Sequence, residues 1–209
     1  MVKRMFDIVL ALLGLVLLLP LLLVAALMIK LDSPGPIFFR QERMGRHFKS
    51  FFIYKLRTMV QGASSKGGPI TFGNDLRITR VGWYLRKTKI DEIPQLINVL
   101  KGNMSFVGPR PEVRRYVELF HREYEEILIV RPGITDLASL KYRDEAALLG
   151  KAEDPENEYT RHVLPDKIRL AKDYLRQSSF LFDLGLIMKT LVKLFDYRIR
   201  VLSSSSRLE

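Results

Sequence analysis

An uncharged run of 22 residues, from Ile8 to Ile29, constrains the fold of this chain more than any other feature. About 20 helical residues suffice to cross the hydrocarbon core of a bilayer, at about 1.5 Å per residue. The run is longer than the apolar part of a signal peptide, and no small-residue cleavage site follows it. The sequence therefore predicts a retained membrane anchor over residues 1–32.

Pro20 and the charges that flank the run leave two topologies open. Pro20 lies near the middle and predicts a kink, because proline removes a backbone hydrogen bond and clashes with the preceding turn. Basic residues prefer the cytoplasmic side of a membrane, yet they flank the run on both sides. They are Lys3, Arg4, Lys30, Arg40, Arg43, Arg46 and Lys49. A re-entrant helix and an ordinary spanning helix with a kink both fit, and Asp7 at the edge of the run would be costly to bury without a partner.

The net charge of +11 predicts an anionic partner. Nucleic acid, a phosphorylated metabolite and an acidic lipid surface are the candidate classes. No nucleic-acid-reading module occurs in the sequence, so we predict that nucleic acid is not a partner. The absence of cysteine excludes a disulfide scaffold, a cysteine-ligated zinc site and thiol catalysis. The three histidines lack metal-ligand spacing, and no Walker-type phosphate loop is present.

Beyond the anchor, the patterns predict a mostly helical α+β fold with one small β-hairpin. Two β-prone runs around Gly45 indicate the hairpin, and the glycine- and serine-rich segment Gln61–Asn74 is typical of a mobile loop. Helices are predicted over Leu76–Thr88, from Asp91-Glu92 to a cap at Gly102, and over Glu112–Ile129, Leu164–Gln177 and Phe180–Phe195. The last helix could pack in the core or lie in the membrane interface, and its pattern slightly favours the core.

Asp91 and Glu92 form the acidic pair of greatest chemical interest. They lie at a predicted helix start, where a carboxylate is favourable and where phosphate also binds. By pattern alone, such residues are most often ordinary first-turn acids. Their setting is basic, however, because residues 77–115 carry nine basic against three acidic residues. We therefore expect both acids to stay ionised, and a carboxylate beside a bound diphosphate could attack phosphorus or hold a divalent cation.

Arg110 stands between Pro109 and Pro111. The two prolines restrict the backbone, so Arg110 would lose little entropy on binding, and its fork of donors matches a pair of phosphate oxygens. A solvated or lipid-facing position for Arg110 explains the pattern equally well.

Four segments, taken in order, resemble the bacterial monotopic phosphoglycosyl transferases, also called bacterial sugar transferases. They are KRMFDIVLALLGLVLLLPLLL, SPGPIFFRQERMGRHFKSFFIYKLRTM, DLRITRVGWYLRKTKIDEIPQLINVLKGNMSFVGPRPE and RPGIT. The resemblance extends from about Lys3 to Leu194, and the third segment is long and specific.

The resemblance implies an enzyme that transfers a sugar phosphate from a UDP-sugar to a polyprenol phosphate. Asp91 would attack the β-phosphorus, expel UMP and carry a phosphosugar-aspartyl intermediate, which the polyprenol phosphate would then accept. Mg²⁺ would be the cofactor, held in part by Asp91, and Glu92 would assist in a role that stays open. Substrate and phosphate contacts are implied for Lys55, Arg57, Arg86, Pro109, Arg110, Pro111 and Arg131.

The resemblance also implies a domain organisation and a location. Residues 1–32 would form a re-entrant anchor kinked near Pro20, residues 33–200 a cytoplasmic catalytic domain with interfacial helices, and residues 201–209 a disordered tail or a remnant of cloning. The chain would be a minimal catalytic form on the cytoplasmic face of the bacterial inner membrane, initiating a surface glycan or polysaccharide. Its partners would be the UDP-sugar, the polyprenol phosphate and membrane lipid, with a homodimer left open.

Two departures from the family pattern bear on these expectations. Leu19 precedes Pro20 where the family often has serine, so the hydroxyl that could cap a broken helix is missing. Residues 136–139 read Asp-Leu-Ala-Ser instead of glycine, a small apolar residue, alanine and glutamine, so the sugar cannot be inherited from better-known members. Two alternatives stay open: a membrane-anchored basic binding protein without catalysis, and an enzyme that transfers the phosphosugar directly, without a covalent intermediate.

Overall fold

The computed structural model describes residues 2–63, 68, 70–73 and 75–205, the last eleven of these by their backbone alone. The helices are α1 Val2–Asp32, α2 Arg80–Thr88, α3 Gln95–Leu100, α4 Arg114–Leu119, α5 His121–Ile127, α6 Leu137–Lys141, α7 Glu145–Leu149, α8 Pro155–Glu158, α9 Leu164–Gln177 and α10 Phe180–Ser205. The strands are β1 Phe38–Met44, β2 Ser50–Leu56, β3 Ser105–Val107 and β4 Gly133–Thr135. Short 3₁₀ turns occur at Arg46–Phe48 and Ile90–Glu92, and a π-helical turn at Tyr159–Val163.

The prediction of a mostly helical fold with a small hairpin is confirmed. Part of the predicted mobile loop (64–67, 69 and 74) and the end of the predicted tail (206–209) lie outside the described residues. The first part of that tail, up to Ser205, continues α10.

α1 is one helix of 31 residues that includes Pro20. It is long and apolar enough to cross a membrane, judged by length and composition. Most of its large apolar side chains are exposed, with Leu17 at 75%. On one narrow face, Ala11, Ala25 and Ile29 are buried against the rest of the chain. The helix therefore rests on the folded domain along small side chains and presents its larger ones outward.

Polar contacts tie both ends of α1 to the folded domain. Near the start, Lys3 Nζ donates to Asp183 Oδ2 of α10 at 2.6 Å. The buried Asp7 Oδ1 accepts from a backbone N–H of β3 at 3.1 Å, so its carboxylate has the partner that burial requires. At the other end, the Arg57 guanidinium donates to the Ser33 carbonyl at 2.7 Å. The two ends of the anchor thus contact the same folded unit.

β1 and β2 form the predicted antiparallel hairpin, with Phe38 opposite Leu56 at its open end. α3 packs beside β2 through Asn98, whose side chain donates to the Phe52 carbonyl at 2.7 Å and accepts from the Tyr54 N–H at 3.0 Å. These bonds to a fully buried amide fix α3, and the 3₁₀ turn before it, against the hairpin.

β3 and β4 form a parallel pair that the sequence did not predict. Strands of three residues carry too little alternation to be recognised. Just beyond β3 the backbones touch, because a Cβ built on Gly133 would lie 2.1 Å from the Gly108 nitrogen. This crossing places the Pro109–Pro111 turn against the residues that follow β4.

Several helix boundaries differ from prediction for local reasons. The polar helix predicted over Glu112–Ile129 is two helices, α4 and α5, because Phe120 between them has φ −122° and ψ 43°. The helix predicted from Asp91 starts as a 3₁₀ turn and continues as α3. α2 begins at Arg80, four residues later than predicted, because the Thr79 side chain caps it by accepting a backbone N–H at 3.0 Å.

The expectation of core packing holds for only one face of α10. Leu186 is buried, at 2% exposure, and packs beside β3 and α9. The other face exposes Leu181, Met188 and Val192 at 77%, 54% and 62%. That apolar face is continuous with α1 through an edge-to-face contact between Phe180 and the Phe6 ring. The interfacial alternative is therefore the one that suits this face.

Candidate active site

A cleft of about 1510 Å³ joins α1 to the charged residues of the domain. Part of its wall is apolar and comes from α1, through Leu10, Gly14 and Leu18. Asp91 and Glu92 line the same cleft, together with residues of α6, α7 and α10. A ligand in this cleft can therefore contact an apolar helix and a charged site at once.

Lys89 sets the position of the acidic pair. Its φ of 58° and ψ of 17° end α2, because non-glycine residues in this left-handed region cannot continue a right-handed helix. The chain then turns directly into the 3₁₀ turn that carries Asp91 and Glu92. Asp91 is only 5% exposed, and Glu92 is nearly as well enclosed.

Glu92 is held by two cations. Its Oε1 accepts from Lys55 Nζ at 2.9 Å and from Arg110 Nη2 at 2.6 Å, and its Oε2 accepts from Arg110 Nη1 at 3.3 Å. Burial alone would raise the pKa of Glu92, but Arg110 and Lys55 outweigh it and hold that pKa well below its usual range. Burial in turn lowers the pKa of the Lys55 ammonium, and the charge of Glu92 raises the pKa of Arg110. Glu92 is therefore an ionised carboxylate with its charge matched.

Asp91 differs sharply from its neighbour. Its Oδ1 is buried and has no hydrogen-bond partner among the described residues. Burial raises the pKa of Asp91, and the charge of Lys55 offsets this only in part. The low pKa of Glu92 agrees with the expectation that both acids stay ionised, whereas burial opposes ionisation of Asp91. The buried Oδ1 of Asp91 therefore lacks the donor or cation that an enclosed carboxylate normally has.

Further cations line the cleft beside Asp91. Arg86 Nε donates to the Thr58 hydroxyl at 2.8 Å, and burial lowers the pKa of Arg86. Lys87 Nζ lies 3.8 Å from the centroid of the Trp83 ring, a cation–π contact. Lys89 also faces the cleft. No ion pair joins Arg86, Lys87 or Lys89 to an acid in the described part of the chain, so their charges are available to an anion.

Backbone contacts hold the Pro109–Arg110–Pro111 turn. The Arg110 N–H donates to Asp136 Oδ2 at 3.0 Å, and the Gly133 N–H donates to the Pro109 carbonyl at 3.0 Å. Pro109 and Pro111 are buried and only Arg110 reaches the cleft. The two prolines therefore act through the shape of the turn.

The residues beside the cleft offer few ligands to a divalent cation. No group of three acidic or histidine side chains converges in the described residues. Mg²⁺ commonly takes only one or two protein carboxylates and completes its shell with substrate phosphates and water. The unpaired Oδ1 of Asp91, a residue that lines the cleft beside several basic side chains, fits such a shared ion.

The sequence profile of the bacterial sugar transferase family matches residues 1–197. The chain belongs to this family. It is 40% identical over 195 residues to the UDP-N-acetylgalactosamine-undecaprenyl-phosphate N-acetylgalactosaminephosphotransferase of Aeromonas hydrophila, covering 91% of the chain and 43% of that protein. It is 38% identical over 199 residues to the UDP-glucose:undecaprenyl-phosphate glucose-1-phosphate transferase of Escherichia coli K12, covering 93% of the chain and 40% of that protein.

The exopolysaccharide production protein PSS of Rhizobium leguminosarum bv. phaseoli is similar over nearly its whole length. It is 40% identical over 200 residues, which cover 91% of the chain and 93% of that protein. The chain thus spans less than half the length of the Aeromonas and Escherichia relatives and nearly all of the Rhizobium one.

Two of the residues that the family resemblance singled out also bond to the backbone of this chain. Arg57 is 6% exposed, and its guanidinium donates to the carbonyls of Ser33, Pro34 and Ile29 at the end of α1. Arg131 Nε donates to the Gly102 carbonyl at 2.8 Å and does not line the cleft. The cleft is lined by the other charged residues of the prediction, namely Lys55, Arg57, Arg86, Asp91, Glu92 and Arg110.

A second polar cluster lines the cleft of this family member, and the sequence did not predict it. Glu112 is 7% exposed and accepts from the Tyr159 hydroxyl at 2.7 Å, and Arg43 and Lys167 lie 3.3 Å and 3.9 Å from its carboxylate. Burial alone would raise the pKa of Glu112, but Lys167 and Arg43 outweigh it and lower that pKa. These residues lie far apart in sequence, so no local pattern could have revealed the cluster.

Proposed function

We propose that this protein transfers a sugar-1-phosphate from a UDP-sugar to a polyprenol phosphate such as undecaprenyl phosphate and releases UMP. One observation carries the proposal: of two adjacent enclosed acids that line the cleft, Glu92 is bound by Lys55 and Arg110, whereas the Oδ1 of Asp91 has no hydrogen-bond partner among the described residues. The activities named for the Aeromonas and Escherichia relatives support it.

The reaction would proceed in two displacements at phosphorus. An Asp91 carboxylate oxygen attacks the β-phosphorus, the bond from that phosphorus to the bridging oxygen breaks, and UMP leaves with the bridging oxygen. A phosphate oxygen of the polyprenol phosphate then attacks the same phosphorus and releases the Asp91 carboxylate. Asp91 lines the cleft, and its Oδ1 has no hydrogen-bond partner among the described residues, so no hydrogen bond to that atom competes with the attack.

Glu92 supports this chemistry by holding the two cations. Its pKa lies well below its usual range, because Arg110 and Lys55 outweigh its burial, so it is a poor proton donor at neutral pH. Its bonds to Arg110 instead orient a guanidinium whose other donors can meet a phosphoryl oxygen. The role left open for Glu92 is therefore proposed to be electrostatic.

The donor diphosphate would lie among Arg86, Lys87 and Lys89 on one side and Arg110 on the other. Asp91 would hold Mg²⁺ together with the diphosphate, and this ion would neutralise phosphoryl charge and assist departure of UMP. A cation at Asp91 also favours its ionised form, which opposes the effect of burial on its pKa.

The acceptor would approach along α1. The apolar wall of Leu10, Gly14 and Leu18 suits a polyprenyl chain, and it lies in the same cleft as Asp91. Both ends of α1 bond to the folded domain, through Lys3 and through the carbonyl of Ser33. A helix that spanned the bilayer would carry its two ends to opposite sides, so these contacts favour the re-entrant form.

We therefore propose residues 1–32 as a re-entrant anchor and 33–200 as the catalytic domain, on the cytoplasmic face of the bacterial inner membrane. The exposed apolar faces of α1 and α10 would be covered by lipid.

The chain has no cysteine, so a single cysteine at Val2 gives a unique label site. An impermeant maleimide should label it only from the cytoplasmic side, and periplasmic labelling would contradict the re-entrant form.

The enzymatic test is UMP release from a panel of UDP-sugars with undecaprenyl phosphate and Mg²⁺. Asp91→Asn should abolish release, while Asp173→Asn on α9, with the same change in charge, should not. A binding protein held by charge would bind anionic vesicles in all three forms and release no UMP. Labelled sugar phosphate retained on the protein without acceptor is expected, and an active enzyme without such label would establish direct transfer instead.

A further inference from the structure

We propose that Asp136 is a positioning residue that fixes the backbone of Arg110 and so aims its guanidinium at the reacting phosphate. This inference rests on the proposed function, because it takes Arg110 to be a phosphate-binding group. Asp136 stands at the position where the family pattern often has glycine. This way of holding Arg110 would therefore occur in this chain and in family members that share the aspartate.

The backbone of the turn has one hydrogen that needs a partner. Pro109 and Pro111 have no N–H, so Arg110 supplies the one amide donor of the three residues. The turn is enclosed, and a buried N–H without an acceptor is unfavourable. Asp136 Oδ2 accepts that donor at 3.0 Å. Beside it, the Gly108 N–H donates to the Thr135 carbonyl at 3.2 Å, which brings the two segments into register.

Both carboxylate oxygens of Asp136 accept hydrogen bonds from other residues of the chain. Asp136 is 2% exposed, and its Oδ1 accepts from both the backbone N–H and the hydroxyl of Ser139 at 2.6 Å. It does not line the cleft, although Ser139 does. Asp136 therefore cannot contact substrate in this arrangement and can influence the reaction only through the groups that it holds.

Arg110 is consequently fixed at two points. Asp136 holds its backbone, and Glu92 holds one edge of its guanidinium at 2.6 Å and 3.3 Å. An arginine has five N–H donors, and two of them are used by Glu92. The others have no partner among the described residues and face a cleft that Arg110 lines. Loss of the bond from Asp136 to the Arg110 N–H would allow the Arg110 guanidinium to shift, although its charge would not change.

Two substitutions separate the roles of the carboxylate. In Asp136→Asn the side chain cannot accept from Arg110 and also from the Ser139 amide, because one of its two terminal atoms is now a donor. In Asp136→Ser a hydroxyl can still cap α6 but is too short to serve Arg110 as well. We expect each variant to lower kcat about 10-fold to 100-fold, the effect of a small misplacement of a catalytic group.

The decisive test is a double-mutant cycle with Arg110→Ala, measured by kcat/KM for UMP release and independently by the Kd for UDP. UDP retains a β-phosphate, and its binding requires no turnover. If Asp136 acts through Arg110, either Asp136 substitution should change both quantities less than about 2-fold once Arg110 is alanine. A control is Asp183→Asn, another buried carboxylate, bonded to Tyr174 and Lys3. The fold-changes that Asp183→Asn causes in kcat/KM and in the Kd for UDP should multiply with those of Arg110→Ala.

Each result decides the matter. Loss of additivity for Asp136, with additivity for Asp183, supports the inference. Effects that multiply, or wild-type kinetics in Asp136→Ser, overturn it while leaving the proposed function intact. A wild-type protein that releases no UMP from any UDP-sugar overturns the proposed function first, and this inference with it. Thermal unfolding of each variant identifies any that has not folded. If Asp136→Asn does not fold, Asp136→Ser still tests the inference, because its hydroxyl can cap α6.

Discussion

Gly82→Ala should destabilise this protein, although alanine normally stabilises a helix. Gly82 lies inside α2, and a Cβ built there would be 2.0 Å from the Thr58 carbonyl oxygen and 2.6 Å from its carbonyl carbon. Real Cβ contacts are essentially never shorter than 3.0 Å, so α2 must move away by about 1 Å. The obstructing atoms belong to the backbone and cannot rotate aside.

The size of the effect follows from what that movement breaks. Thr58 accepts from the Thr79 N–H at 3.1 Å and from Arg86 Nε at 2.8 Å, and both donors move with α2. Overpacking costs about 1–3 kcal/mol, and an enclosed donor left without an acceptor costs about 1–3 kcal/mol. The gain in helix propensity returns about 1 kcal/mol. A net loss of about 1–5 kcal/mol should lower Tm by roughly 2–20 °C in a protein of this size.

Gly185→Ala is the matched control, because Gly185 also lies in a helix, α10, and its Cβ would meet nothing within 4 Å. It should raise Tm by about 1–4 °C, from a propensity gain of about 0.5–1 kcal/mol. Both variants would be unfolded by heat in one detergent and assayed for UMP release, which should fall about 10-fold or more in Gly82→Ala as Arg86 is displaced. If Gly82→Ala melts at or above Gly185→Ala, the steric reasoning is wrong.

Three further predictions concern charged side chains. Glu92→Gln leaves Lys55 and Arg110 enclosed without an anion, so kcat for UMP release should fall about 10-fold or more, and an unchanged kcat would contradict the electrostatic role. The pKa of Glu112 is lowered in the folded state, so its ionisation stabilises the fold fully above the unfolded pKa of about 4.3. This stabilisation is lost as the pH falls through the folded pKa. Glu112→Gln should therefore weaken the decrease in unfolding free energy at acid pH, measured by unfolding at several pH values. Arg57→Gln removes the donors that hold the end of α1, so limited proteolysis should cut faster at residues 33–36, and wild-type cleavage would count against that role.

The elements that the sequence predicted are those with a local signature. The hairpin has alternating β-prone runs, and the anchor has an uncharged run longer than any core helix needs. The β3–β4 pair has no such signature, because it forms between segments about 28 residues apart that meet at Gly108 and Gly133. Backbone crossings of this kind depend on the whole fold and leave only isolated glycines in the sequence.

For the site, the sequence predicted residue types better than it predicted their partners. It identified the acidic pair and Arg110. It did not show that Glu92 bonds to Lys55 of β2 while Asp91 Oδ1 has no partner among the described residues. Arg57 is a second example. It lines the cleft, as a phosphate contact would require, but its guanidinium also donates to three backbone carbonyls at the end of α1, and its motif did not reveal these partners.

The attachment of α1 at both ends has a consequence for how the acceptor is found. A domain on one flexible tether can tumble above the bilayer, whereas a domain bonded to both ends of the proposed anchor would have a fixed tilt and height. A lipid that diffuses laterally would then always meet the same entrance beside Leu10 and Leu18. We expect turnover to follow the number of acceptor molecules per unit area of membrane, so that diluting the acceptor with inert lipid slows the enzyme even when its bulk concentration is unchanged.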